Sequence, residues 1–279
     1  MILPSPWQRT TSAQAAMLAL ACAPLVYFQA AIRGALVLCP DDCLTLNLPL
    51  RVAAANFLLD GHLPIWNPYY FGGMPLFGAA QGGLLFPLNW FFLFFSAPTA
   101  INIAVLCAYA LAGVGAFLYA RRGGASVLGA LVSGLVWQWS GFLVAHVGHT
   151  NVVHTAMLLP WVLWAIDGYA ITRRRANAAL IAVFVAFQSF AGHQQTFVYS
   201  LMLAAAYAVY LGVRAEQVER RRPYLIALSM LMLGVVLAAV QILPTFELMR
   251  NSLRAGATYD FFSTFSLPPV FLLTYFAPY

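Results

Sequence analysis

The sequence predicts an all-α protein, a polytopic transmembrane bundle of about seven spans forming one membrane-embedded domain over residues 1–279. Three observations lead there. Hydrophobic residues fill 62% of the chain and charged residues only 8%, against roughly 45–50% and about 25% in an ordinary soluble domain. The apolar residues come in blocks of about 20, the length that crosses hydrocarbon as a helix. All fourteen basic residues are arginine, and most punctuate the gaps between blocks. The 15% aromatic content excludes a disordered or collagen-like chain. The net charge of +6, gathered into a few clusters, reads as a topology signal toward an anionic leaflet and not as a nucleic-acid surface.

The first span is predicted at Ala13 to Ile32, since no tidy cleavage site follows Arg9. Later spans fall at Ala100–Ala120, Ser126–His146, Val152–Tyr169, Ala176–Ala191, Thr196–Val213 and Tyr224–Leu248. With the N-terminus in the cytoplasm, Arg9, Arg121, Arg122, Arg173–Arg175, Arg214 and Arg220–Arg222 all lie inside, leaving Arg33, Arg51, Arg250 and Arg254 outside. That balance makes Leu84 to Phe95 a re-entrant or interfacial segment, because a span there would invert every later cluster. Asp167, Glu216 and Glu219 then read as ordinary solvated or interfacial charge on the inner side. The remaining acids and histidines collect outside, and the middles of the spans read as almost wholly apolar.

The outer side is dominated by a first extracytoplasmic loop, residues 38–96. Asn47 to Leu59 reads as an interfacial amphipathic helix, with Leu50, Ala53, Ala54, Phe57 and Leu58 on its apolar face and Arg51, Asn56 and Asp60 elsewhere on the circumference. His62 to Trp90 is so dense in Pro, Gly and aromatic residues that it predicts a turned loop without regular helix or strand.

Four groups there suit chemistry. Asp41 and Asp42 suit a general base or hard oxygen ligands for a divalent cation, and equally a solvated pair at a helix end. The outer arginines offer planar forks for phosphate, with Arg51 and Arg250 preferred, or salt bridges to Asp60 and Asp260. Two Gly-His turns, Gly148-His149 and Gly192-His193 with Gln194, place imidazoles and an amide toward a polar cavity or tie helices together. Trp66, Asn67 and Tyr69, with Tyr70 and Phe71, suit stacking on sugar rings or an interfacial belt. Cys39 and Cys43 flank the acidic pair and allow a disulfide, or half of a metal site that lacks its second ligand pair. Walker, dinucleotide-binding, HExxH and nucleophile-elbow patterns are missing from the sequence.

Asp42, Pro49, then GHLPIWNPYYFGGMPLFGAAQ, FPLNW, GHTNVVHTAMLLPWVLWAID, AGHQQTFVYSLMLAAAY and SLPP follow one another in an order that resembles the amino-terminal part of the YfhO-type bacterial membrane proteins, grouped with GT-C-class glycosyltransferases. The resemblance runs from about Asp42 to Pro269 and implies a GT-C-like fold within a longer protein of the bacterial cytoplasmic membrane. It implies transfer of a sugar from a polyprenyl-phosphate-linked donor to a cell-envelope glycan or lipid acceptor, with Asp42 in the place of the essential acid and Asp41 beside it. The rival readings are a transporter or flippase of lipid-linked glycans, for which the apolar span middles offer little, and a non-catalytic truncated protein.

Overall fold

Helix formation follows the apolar blocks. A computed structural model describes residues 11–215, 217–264, 266–275 and 277, so Arg9, Glu216 and the side chain of Arg254 lie outside the described residues. The helices are α1 (Thr11–Tyr27), α2 (Gln29–Ile32), α3 (Leu48–Leu59), α4 (Ala97–Arg122), α5 (Val127–Gln138), α6 (Gly141–Ala145), α7 (Thr150–Ala156), α8 (Leu159–Thr172), α9 (Arg175–Phe190), α10 (Gln194–Arg214), α11 (Val218–Leu237), α12 (Ala239–Arg250) and α13 (Tyr259–Ser263). A π-helical turn, Cys43–Asn47, leads into α3, and a 3-10 turn, Pro87–Leu93, precedes α4.

Every predicted block is helical, yet the expected seven spans are not met by length. Four segments are long and apolar enough to cross a membrane: Ala97–Arg122, Val127–Ala145, Thr150–Thr172 and Gln194–Arg214. A fifth results if α11 and α12, bent by 60°, are one span. Pro244, which cannot donate to the carbonyl four residues back, lies just past that bend. Helices α1 and α9 have 17 and 16 residues, roughly 25 Å of helix against a hydrocarbon core of about 30 Å. The first stops where the chain turns at Phe28, and the second at Gly192, whose φ of +94° a helix cannot hold.

Helix α4 is the axis of the bundle, packing against α1, α5, α8 and the 87–93 turn. One apolar cluster joins Val105, Tyr109, Leu143 and Met157, and a second joins Val162, Ile166, Val185 and Leu231. The interior is less apolar than the sequence suggests, because Asn102, Gln138, Gln188 and Gln241 are all buried. Each bonds backbone. Pro24 has no N–H to give the Leu20 carbonyl one turn back, and Gln138 Nε2 donates to that carbonyl at 2.8 Å and to the Tyr109 carbonyl at 3.0 Å. Gln188 Nε2 donates to the Thr155 carbonyl at 3.2 Å, and Gln241 Nε2 to the Phe77 carbonyl at 2.9 Å.

The bundle has two chemically distinct ends. At one, Arg122 Nη1 donates to the Trp164 carbonyl at 2.5 Å and its guanidinium lies 4.1 Å from the Trp164 ring centre. Asp167 sits there too. It is half-buried and accepts from the Tyr207 hydroxyl at 2.9 and 3.1 Å. The other end carries the loop of residues 38–96. Within it, His62–Trp90 departs from the expected irregularity: β1 (Trp66–Asn67) pairs antiparallel with β2 (Met74–Pro75).

Replacing Gln138 by Leu is expected to lower stability by about 1–2 kcal/mol, since it strips the donor from the Leu20 carbonyl. Thermal unfolding of the detergent-solubilised protein measures this as a lower midpoint.

Candidate functional site

The position of Asp42 is set by a side chain on α4. After α2 the backbone is irregular, and its polar groups need partners at this depth. Asn102 supplies three: its Oδ1 accepts from Leu38 N–H at 2.8 Å, and its Nδ2 donates to the carbonyls of Ala31 and Leu36 at 3.3 and 3.0 Å. The next residue, Cys39, forms a disulfide with Cys43, their Cα atoms 4.9 Å apart, enclosing Pro40, Asp41 and Asp42. Both cysteines are buried against Ala55, Phe92 and Ile101.

The two acids of this loop then part ways. Asp41 holds φ at +49°, a left-handed conformation that costs a residue with a side chain roughly 1 kcal/mol or more. Its carbonyl accepts from Leu44 and Thr45 N–H at 3.0 and 3.2 Å, opening the π-helical turn. Asp42 alone reaches a partner: its Oδ2 lies 3.4 Å from His149 Nε2, with the side chains 61% and 42% exposed. No group of three or more His, Cys, Asp or Glu capable of holding a metal ion occurs among the described residues. A donor set for the divalent cation considered above is therefore not assembled.

Arg51 corrects the reading of the interfacial helix. It was expected on the polar circumference of α3, yet it is 2% exposed, and Asn47, Leu50, Ala54 and Ala55 are buried with it. The buried stripe is thus 47, 50, 51, 54 and 55, because α3 packs against the 87–93 turn and does not simply lie on the bilayer. Arg51 Nη1 donates to Thr150 Oγ1 at 2.6 Å, while Nε and Nη2 are buried without a partner. No carboxylate approaches within 4.0 Å among the described residues. His154, fully buried and stacked on Phe86 at 5.0 Å, adds no counter-charge, and neither of its ring nitrogens has a hydrogen-bond partner. Burial pulls the guanidinium down to about 9, which leaves it charged at neutral pH. It borders a cavity of about 20 Å³ with Gly82, Asn89 and Trp90, room for roughly one water. The unpartnered Oδ1 of Asn89 belongs to the same lining.

The two Gly-His turns do meet. The rings of His146 and His149 are 5.4 Å apart, and both imidazoles act electrostatically on His193. Each turn packs on the outer loop through its glycine: a Cβ on Gly192 would strike the Ala80 carbonyl, and one on Gly148 would come within 3.0 Å of the Pro40 carbonyl. His193 is committed to structure, its Nδ1 accepting from Thr196 N–H at 3.2 Å and so capping α10. Burial, then the charges of His146 and His149, lower its pKa. Gln194 Nε2 donates to the Ser189 carbonyl at 3.4 Å, tying α10 to the end of α9.

The other expected ligand residues stand apart. Asn67 is buried, and its Oδ1 accepts from Tyr69 N–H at 3.0 Å, closing a turn. Trp66 covers Gly73, and Tyr69 is 85% exposed. Arg250 and Arg33 are exposed and make no ion pair among the described residues. Thr150 was missed as the partner of Arg51, and His154 as a buried neighbour of it. Their signal was the polar run at the start of the GHTNVVHTA segment, which the turn motif overshadowed. No protein-family profile, curated protein or solved structure matches this chain.

An unpaired buried cation opposes folding, so Arg51→Met is expected to raise stability, by about 1–4 kcal/mol. A higher midpoint in thermal unfolding checks it. His193 titrates in the folded chain below the ordinary value near 6.5, so the unfolded chain binds the extra proton first. Its contribution is complete above pH 6.5 and is lost as pH falls through the lowered folded value. His193→Asn keeps a capping acceptor that does not titrate, and should flatten the fall in unfolding midpoint between pH 6.5 and 5.

Proposed function

We propose that the chain is a GT-C-type glycosyltransferase of the bacterial cytoplasmic membrane, moving a sugar from a polyprenyl-phosphate carrier to an extracytoplasmic hydroxyl of a cell-envelope glycan or lipid. One observation carries the reading. His149 and Thr150, consecutive residues with Cα atoms about 3.8 Å apart, touch Asp42 and Arg51 respectively. An exposed carboxylate and a buried, uncompensated guanidinium are thereby held on one joint. The ordered resemblance of the sequence to YfhO-type proteins supports the same class. The disulfide at Cys39–Cys43 favours an oxidising compartment for this end, as do the arginines at the other.

In this mechanism the acceptor oxygen attacks the anomeric carbon while Asp42 takes the hydroxyl proton, with His149 orienting the carboxylate. The bond from the anomeric carbon to the phosphate oxygen breaks, and its electron pair leaves on the carrier phosphate. Arg51 stabilises that growing charge. The cavity it borders, about 20 Å³, is smaller than a phosphate group, so this role requires its lining to widen on carrier binding. The exposed aromatic loop of Trp66 and Tyr69 meets the membrane surface or the sugar.

Transfer from a polyprenyl-phosphate hexose, assayed in liposomes with the full chain, is expected to fall by about 10²-fold or more in Asp42→Asn, with membrane insertion unchanged. Arg51→Met should lose transfer while gaining stability. Undiminished transfer in Asp42→Asn would refute the assignment, and carrier movement across the bilayer without transfer would favour a flippase.

A further inference from the structure

At the arginine-rich end, the last turn of α8 and the first turns of α11 enclose a cleft of about 510 Å³ lined by Tyr169, Arg173, Glu219, Arg222, Pro223 and Ile226. We propose that this cleft is a lipid site, holding the phosphodiester headgroup of an anionic phospholipid between the guanidinium groups of Arg173 and Arg222. It stands independently of the transfer reaction, since it lies at the opposite end of the bundle from Asp42.

Charge and pairing point to an anion. Neither guanidinium makes a hydrogen bond or ion pair among the described residues, and Glu219, on the same cleft, stays more than 4.0 Å from both. Two arginines and one glutamate leave one positive charge, the match for a single phosphodiester. Glu219 can accept from headgroup hydroxyls and disfavours a second negative charge.

Backbone geometry points the same way. Arg173 ends α8 with φ at +56°, its N–H donating to the Tyr169 carbonyl at 2.9 Å. Glycine is the usual residue at a left-handed helix end, where a side chain is a steric penalty. Here the position carries a guanidinium and sets it beside α11, where its charge falls on Tyr224.

The shape suits a lipid more than a free ion. The volume is in the range of small-molecule sites, and the cleft wall is partly apolar through Pro223 and Ile226. Leu225 and Ile171, exposed on the adjoining turns, offer a path for acyl chains. Basic pockets between helices at this membrane level are where lipid headgroups are held.

Native mass spectrometry of the full chain in detergent tests this with three probes: a phosphatidylglycerol, a phosphatidylcholine and inorganic phosphate. One phosphatidylglycerol should be retained per chain in preference to phosphatidylcholine. Arg173→Gln with Arg222→Gln should weaken that retention roughly 25-fold, about fivefold for each charge. Arg174→Gln with Arg175→Gln, which does not touch the cleft, should change it less than about twofold. Glu219→Gln should strengthen it, a gain that a misfolded protein cannot imitate. Equal retention of phosphatidylcholine, no loss in the Arg173/Arg222 variant, or an equal loss in the Arg174/Arg175 variant would overturn the proposal. Displacement of the lipid by millimolar inorganic phosphate would overturn the lipid assignment in favour of a simple anion site.

Discussion

The Leu20 carbonyl, left without its donor by Pro24 and taken up by Gln138, shows the constraint from which the architecture follows. Inside a bilayer, water is not available to repair a broken helix ladder, so each freed backbone group must find a partner within the protein. Buried amides do this here at four places: Gln138 where α1 carries a proline, Asn102 where the chain leaves α2, Asn89 on the Gly83 carbonyl, and Gln241 on the Phe77 carbonyl. Tyr109 and Trp161 do the same for the carbonyls of Leu143 and Leu111. The bonds of Asn102 and Gln241 hold the loop of residues 38–96 against the helices, and that from Leu38 N–H to Asn102 fixes the approach to Asp42.

Magnitudes separate what holds the fold from what serves chemistry. The Asp42–His149 contact is largely open to solvent, and exposed pairs of this kind contribute about 0–1 kcal/mol. Arg51 is buried with one hydroxyl for company. A charged hydrogen bond returns about 1.5–3 kcal/mol, less than the several kcal/mol that desolvating an ion costs. Neither feature is explained by stability. Both lie where the loop meets the start of α7.

The class and the helical blocks were legible because hydrophobic runs and arginine spacing act over long stretches of chain, which no single contact can override. Helix lengths were not, since the bend between α11 and α12 and the early end of α1 depend on local turns inside apolar runs. The helix of residues 48–59 was legible as a helix but not in its facing. A periodicity that accepts 50, 53, 54, 57 and 58 accepts 47, 50, 51, 54 and 55 nearly as well once a buried arginine is allowed. Of the candidate site, the sequence singled out Asp42 and the two Gly-His turns. Its pairing with His149, and that of Arg51 with Thr150, 99 positions away, required the fold. The roles of His193, Gln194 and Asn67 were obscured because capping and turn closure use the same polar residue types as ligand binding.

The bridge between Cys39 and Cys43 has a bearing on biogenesis. Its partners sit on either side of a three-residue span in a pocket of apolar neighbours, so hydrophobic burial can bring the sulfurs together before oxidation. The bundle can thus insert with free thiols, and the acidic loop is locked only once an oxidant on the far side has acted. Material made in a host without that oxidant would be inserted and helical yet hold Asp42 loosely, and the acidic loop would tighten on mild oxidation without any further change in helix content.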